Sequence, residues 1–228
     1  MEKHKFRRQV DLHLQEELFT CDEIRDFFNG LRSSGDVVLF GGAIRDIIDH
    51  ITPRDYDLVI KEKQPGLLER VISSKDHRKN RFGGYSLTIC SKKFDVWALD
   101  KTWAFENNLV PKNEENLVNT VFFNIDSVAI NLSSDCCYID NYVKTIKDGK
   151  LDIILKDNPF PALCVLRAFV FKKKKQLSFS KSVNDFIAEW LNQTDRPVDI
   201  LWETQEKHYK AEFFTKSQLK NELISMLW

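Results

Sequence analysis

The chain has no long apolar run, no excess of charge of either sign and no paired-cysteine spacing, and each absence removes a class of function. No stretch approaches the roughly 20 apolar residues of a membrane span. The opening MEKHKFRRQV lacks the apolar stretch of a signal peptide. Lys+Arg and Asp+Glu both number 34, so overall charge recruits neither nucleic acid nor anionic lipid, and either partner would have to meet a local patch. The five cysteines, Cys21, Cys90, Cys136, Cys137 and Cys164, are odd in number and include no CxxC. That pattern predicts free thiols in a reducing compartment rather than a zinc site or a disulfide framework, with the cytoplasm as the expected location. His4, His13, His50, His77 and His208 are scattered without ligand spacing. There is no internal repeat and no low-complexity linker.

What is present is a globular composition, 43% hydrophobic and 30% charged over 228 residues, which suits one domain or a domain with a smaller appendage. Lys3, Lys5, Arg7 and Arg8 form either a basic arm or a solvated terminus. Thr20-Cys21-Asp22-Glu23 is a capping-box pattern, and Ile24, Phe27, Phe28 and Leu31 then share one helical face that should end near Ser33 to Gly35. A strand over Val37 to Phe40 runs into Gly41-Gly42. The next helix carries Arg45 and Asp46, places Ile44, Ile47, Ile48 and Ile51 on one face, and should end at Pro53. Pro65 to Ser73 reads as a short helix, Arg81 to Gly84 as a turn, and Tyr85 to Cys90 and Lys93 to Leu99 as strands. Val121 to Asn131 and Cys136 to Tyr142 are further strand candidates. From about Pro159 the pattern is helical, with Val183, Phe186, Ile187, Trp190 and Leu191 on one face and Leu219, Leu223, Met226 and Leu227 on another.

The residues with chemical potential are acids. Asp55 and Asp57 lie two apart on one strand, so their carboxylates share a face. Asp95 interrupts a strand with apolar residues on both faces, and a buried carboxylate there needs a cation or donors. Three such acids could hold two divalent ions about 3.5–4 Å apart, and oxygen-only ligands suit Mg²⁺ or Mn²⁺. Gly41 and Gly42 would let backbone N–H groups approach phosphate, and Arg45 would add charge-assisted bonds. Asp46 could instead cap its helix or pair with Arg45 or Arg54. Trp97 and Trp103 suit a core as well as a nucleobase. Lys172 to Lys175 suit either a nucleic-acid backbone or a solvated helix end.

GGAIRD followed nine residues later by DYD resembles the head-domain signature of the class II tRNA nucleotidyltransferase and bacterial poly(A) polymerase family, within the DNA polymerase β-like superfamily. Phe94-Asp95-Val96 is similar to the superfamily's later acid. Phe123 to Ala129 is similar to the family's FTINAIA-like segment, and Leu166 to Phe171 to its LRA-x-RF helix. The resemblance runs from about Val37 to Phe171. It departs at Thr120-Val121-Phe122, where the family has Arg-Arg-Asp, and at Phe160 to Val165, where the family has an acidic, Arg-containing stretch. The base-reading EDxxR-type helix is not recognisable, and with 57 residues after Phe171 the family's long tRNA-holding body and tail are not expected within this sequence.

The resemblance implies an α+β nucleotidyltransferase head over residues 1–155, with a mixed sheet flanked by helices, and a small helical, neck-like part over 156–228. The implied activity is metal-dependent transfer of an NMP from an NTP to a hydroxyl, with an RNA 3′ end as the favoured acceptor. Asp55, Asp57 and Asp95 would be the catalytic and metal-holding residues, and Gly41, Gly42, Arg45 and Asp46 would bind the nucleotide. The alternatives are a toxin- or antibiotic-modifying-type transferase acting on a protein or small molecule, and a catalytically inactive nucleotide- or RNA-binding module. A partner-dependent subunit contacting its partner through Trp228 and the apolar C-terminal helix is a third. No membrane partner is expected, and the oligomeric state is left open.

Overall fold

A computed structural model describes residues 2–80, 82–209 and 212–226. The chain divides into two compact units, Met1–Val121 with Asp126–Tyr142, and Phe122–Ile125 with Val143–Trp228.

The first unit opens with α1 (Glu2–His13), a π-helical turn (Leu14–Leu18) and α2 (Asp22–Ser34). These lead into β1 (Gly35–Phe40), α3 (Gly42–Ile48), β2 (Tyr56–Glu62), α4 (Leu67–Ser73), β3 (His77–Lys79), β4 (Tyr85–Ile89) and β5 (Lys92–Ala98). A short α5 (Trp103–Glu106) and 3₁₀ turns follow, before β6 (Ala129–Asn131) and β7 (Cys137–Tyr138). The strands form one seven-stranded sheet in the order β3-β4-β5-β2-β1-β6-β7. Among the described strands of this sheet, only the β2–β5 pair is parallel. This is the expected α+β class with a mixed sheet.

Each face of the sheet has its own covering. Tyr56, Leu58, Phe94 and Val96 lie on one face, where Phe94 meets Phe27 and Phe28 of α2 edge-on at 5.6 and 6.1 Å. The other face carries Val38, Val59, Trp97 and Ala129, packed with Phe105 of α5 and Leu117. Alternation along β2 and β5 assigns the two sets, because successive side chains point oppositely. Asp57 and Asp95 belong to the second face but lie beyond its apolar covering. Asp95 is therefore partly rather than fully buried, unlike the expectation from its strand alone.

Several boundaries differ from the sequence reading. Thr20 does not cap α2, whose N-cap is Cys21 with no side-chain bond. The helix expected to reach Pro53 stops at Ile48, because His50 turns into the left-handed region (φ +58°) and Ile51 N–H donates back to Asp46 O at 2.8 Å. Ile51, placed on the apolar face by periodicity, is 55% exposed. Val121 to Asn131 yields a strand only at its end, after a 3₁₀ turn over Asn124–Asp126. The basic N-terminus is solvated at Lys3, Lys5 and Arg8. It is helix α1, with Lys3 paired to Asp140 at 3.0 Å and Arg7 donating to the carbonyls of Asn131 and Ser134 at 3.0 and 2.6 Å. The expectation of all-free thiols is also corrected. Cys21, at the start of α2, is disulfide-bonded to Cys90 in the β4–β5 turn, a pairing across 69 residues that spacing could not reveal. Arg81, Leu227 and Trp228 lie outside the described residues.

The second unit contains α6 from Val143 onward (the helix spans Asp140–Asp148), β8 (Lys150–Leu151), α7 (Pro161–Lys175), β9 (Ser178–Phe179), α8 (Lys181–Asn192), α9 (Pro197–Tyr209) and α10 (Lys216–Ile224). Pro161 sits in the first turn of α7, where its missing N–H is harmless. Thr215 and Gln218 close a reciprocal capping box on α10. Buried Gln205 is satisfied by the Phe213 and Phe214 amides and the Phe214 carbonyl. The lysines ending α7 are engaged within this unit. Lys172 pairs with Glu222 at 2.6 Å, Lys173 lies over Phe214, and Lys174 lies over Phe213.

Two outcomes check this fold. A Cβ on Gly35 would meet Lys61 O at 2.2 Å and Glu62 Cα at 2.9 Å, both backbone atoms of paired β2. Gly35→Ala should therefore lower unfolding free energy by about 2–4 kcal/mol in a denaturant titration. Alkylation of the denatured, unreduced protein should modify Cys136, Cys137 and Cys164 and spare Cys21 and Cys90 until a reductant is added.

Candidate active site

Asp57 is the second residue of β2. In the parallel pairing its Cα partner is Asp95 of β5, and across β1 it faces Phe40. Asp95 in turn faces Ser86 of β4, whose hydroxyl donates a short hydrogen bond to its carboxylate. Asp55 lies just ahead of β2 and is held by Arg54, whose Nε and Nη2 both donate to the same carboxylate oxygen at 3.0 and 2.8 Å. The expected acids are therefore brought into one neighbourhood, with Asp57 between the other two.

The electrostatics of Asp57 follow from this crowding. Removal from water, reinforced by the charges of Asp55, Asp95 and Asp126, pushes its carboxyl up to about 8, with Arg54 opposing. Without a cation, burial and the neighbouring carboxylates favour the neutral form of Asp57. A divalent ion would reverse that preference, and an all-oxygen donor set suits Mg²⁺ or Mn²⁺. The residues fit such an ion in charge and donor type. They are not closed around one, however: among the described residues no three His, Cys, Asp or Glu side chains are grouped to hold a metal. Asp55 is turned to Arg54 and Asp95 to Ser86, and both hydrogen-bonded arrangements would have to yield for the carboxylates to converge.

The glycine turn lies at the end of β1. Gly41 has φ +67°, a region that side-chain-bearing residues rarely adopt, and its N–H donates to Val128 O at 2.8 Å. Any phosphate contact from this turn therefore falls to Gly42 and the amides after it. Arg45 donates to Asp46 from Nε and Nη2, both at 3.2 Å, and makes a short ion pair with Asp126. Asp46 is thus a partner of Arg45, one of the roles open to it in the sequence.

Asp126 is the residue that sequence reasoning missed. It is buried, pairs with Arg45 and contributes to the field on Asp57. Its segment, Phe123 to Ala129, was visible as a family-like stretch. The signal that its acid belonged to the site was the presence of Arg45, 81 residues earlier. Behind the acids, Tyr56 and Phe94 stack at 5.5 Å, and His13 Nε2 hydrogen-bonds Tyr56 Oη at 2.8 Å. Burial lowers the His13 pKa and raises that of Tyr56. Trp97 is partly buried against the core, edge-on to Phe40 and donating to Thr102 Oγ1 at 3.0 Å.

No family model matches the chain, and no curated sequence matches it either. Solved structures do. A CCA-adding enzyme from Thermotoga maritima complexed with tRNA superposes with a TM-score of 0.66 at 18% identity, over 95% of this chain and 53% of that one. A CCA-adding enzyme with CTP gives 0.63 at 18% identity, over 95% and 53%. A tRNA nucleotidyltransferase with a primer tRNA and an ATP analogue gives 0.52 at 17% identity, over 76% and 57%. The chain shares their fold and spans about half the length of each. No helix among the described residues is long and apolar enough to cross a membrane.

The raised Asp57 pKa has a consequence for stability. A carboxyl that binds its proton more tightly when folded stabilises the fold fully below its unfolded pKa of 3.8 and loses that contribution as pH rises toward 8. Asp57→Asn should therefore melt above the unaltered protein at pH 8–9 in chelator, by an amount of order 2 kcal/mol, with the gap closing toward pH 4.

Proposed function

We propose that this chain is a metal-dependent nucleotidyltransferase that moves an NMP from an NTP to a hydroxyl and releases pyrophosphate. The acceptor we favour is an RNA 3′ end. In this reading residues 1–155 form the nucleotidyltransferase head and residues 156–228 a neck-like helical part. The observation that carries the reading is the β2–β5 register, which sets Asp95 beside Asp57 in a fold shared with CCA-adding enzymes.

Asp55 and Asp57 would hold Mg²⁺, with Asp95 completing the set once Ser86 lets go. The bound metal would neutralise the triphosphate and favour ionisation of the acceptor hydroxyl. The attacking oxygen would form a bond to the α-phosphorus as the bond to pyrophosphate breaks, and Asp95 would take the hydroxyl proton. Gly42 would admit phosphate oxygens close to the main chain, and Arg45 would move from Asp126 to the phosphates. The tRNA and nucleotides named with the structural neighbours support an RNA acceptor and an NTP donor.

A binding module without turnover is the second reading. It is favoured by the absence, among the described residues, of a closed three-acid metal set and by Thr120-Val121-Phe122 in place of the family's Arg-Arg-Asp. Incubation with each labelled NTP, Mg²⁺ and a total RNA pool separates the two. Transfer of label to RNA that falls at least about 100-fold in Asp57→Ala, or in Asp95→Asn, supports the enzyme. Saturable NTP binding with no transfer to any acceptor supports the binding module.

A further inference from the structure

The sheet register extends the acid pair sideways into a row that the proposed chemistry does not use. Arg78 of edge strand β3 faces Ser86, Ser86 faces Asp95, and Asp95 faces Asp57. Residues directly opposite in a sheet share a face, so Arg78 emerges on the acid face, two strand spacings or about 10 Å from Asp95. Lys93 lies two residues before Asp95 on β5, on the same face and about 7 Å away, opposite Thr88. Arg78, Lys93 and Thr88 are exposed, and among the described residues neither cation has an ion pair. The neighbouring cations on the opposite face are engaged otherwise. Lys79 Nζ lies over the Tyr85 ring at 5.9 Å, and Lys92 pairs with Glu17 at 3.2 Å. Alternation along two strands thus separates two uncommitted cations beside the acids from two committed ones behind them.

We propose that Arg78 and Lys93 form the track for the acceptor strand, gripping the phosphodiesters just upstream of a 3′ hydroxyl held at Asp57 and Asp95, with Ser86 and Thr88 lining the path between them. The inference rests on the nucleotidyltransferase reading and names the ligand as a single-stranded oligoribonucleotide. Its physical basis is charge complementarity. An acceptor that brought its own anionic backbone to a cluster of carboxylates would be repelled, and two cations about 7 and 10 Å out on the same face offset that repulsion. A small neutral acceptor would have no use for them.

The test uses anisotropy of a 5′-labelled 12-nucleotide RNA with the full chain, at several salt concentrations. Arg78→Gln/Lys93→Gln should bind about 5–20-fold more weakly near 0.1 M salt, and the slope of log K against log salt should shrink by about 1.4, or 0.7 for each phosphate no longer neutralised. The control Lys79→Gln/Lys92→Gln removes the same charge from the opposite face and should leave affinity and slope unchanged. In transfer assays the first pair should raise KM for the oligonucleotide with kcat and NTP affinity retained. Equal losses in both pairs, no loss in either, or no binding by the unaltered protein would overturn the inference. Face-independent binding with NMP transfer to RNA intact defeats this inference alone. Absence of transfer to any acceptor defeats the reading beneath it.

Discussion

The parallel pairing of β2 with β5 is the constraint on which the candidate site depends. It is the one parallel contact in an otherwise antiparallel sheet, and it puts Tyr56 beside Phe94 and Asp57 beside Asp95 in the same registration. The aromatic pair is buried on one face and the acid pair is presented on the other. A slip of one residue would exchange the faces, sending the carboxylates into the Phe27–Phe28 core and the rings onto the acid face. The apolar stacking behind the site therefore holds the repelling carboxylates in place. Hydrophobic burial on the helix side offsets the cost, on the other, of holding Asp57 out of water among carboxylates, the cost that raises its pKa.

Arg45 and Asp126 add a second level to this arrangement. Arg45, the cation assigned to phosphate in the proposed reading, is neutralised by Asp46 and Asp126. An anionic ligand entering the site would compete with Asp126 for the guanidinium and leave another carboxylate facing Asp57. A divalent ion would relieve both effects. Metal and triphosphate should therefore bind cooperatively, because each offsets the charge that the other exposes.

Much of this was legible in the sequence. The alternating pattern of β2 and β5 located Asp57 and Asp95, and the glycine pair marked the turn into α3, but Asp55, read as a strand residue sharing a face with Asp57, lies ahead of β2 and is paired with Arg54. The parts that were not legible depend on contacts distant in the chain. Asp126 becomes a site residue only through Arg45, and Cys21 meets Cys90 only once α2 lies against the β4–β5 turn. The fate of Lys92 and Lys93 follows from strand direction, since neighbours in sequence point to opposite faces. Local periodicity also misjudged α3. Ile51 fits the helical spacing, but the left-handed His50 ends that helix before the pattern does.

The most direct measurement is anomalous diffraction from crystals grown with Mn²⁺ and an NTP analogue that cannot be cleaved between its α- and β-phosphates. Mn²⁺ should be bound to Asp57, with Asp55 released from Arg54 and Asp95 turned from Ser86 toward the ion. Mn²⁺ absent from these acids, or bound with the Arg54–Asp55 and Ser86–Asp95 hydrogen bonds intact, would contradict a catalytic metal site built on the three.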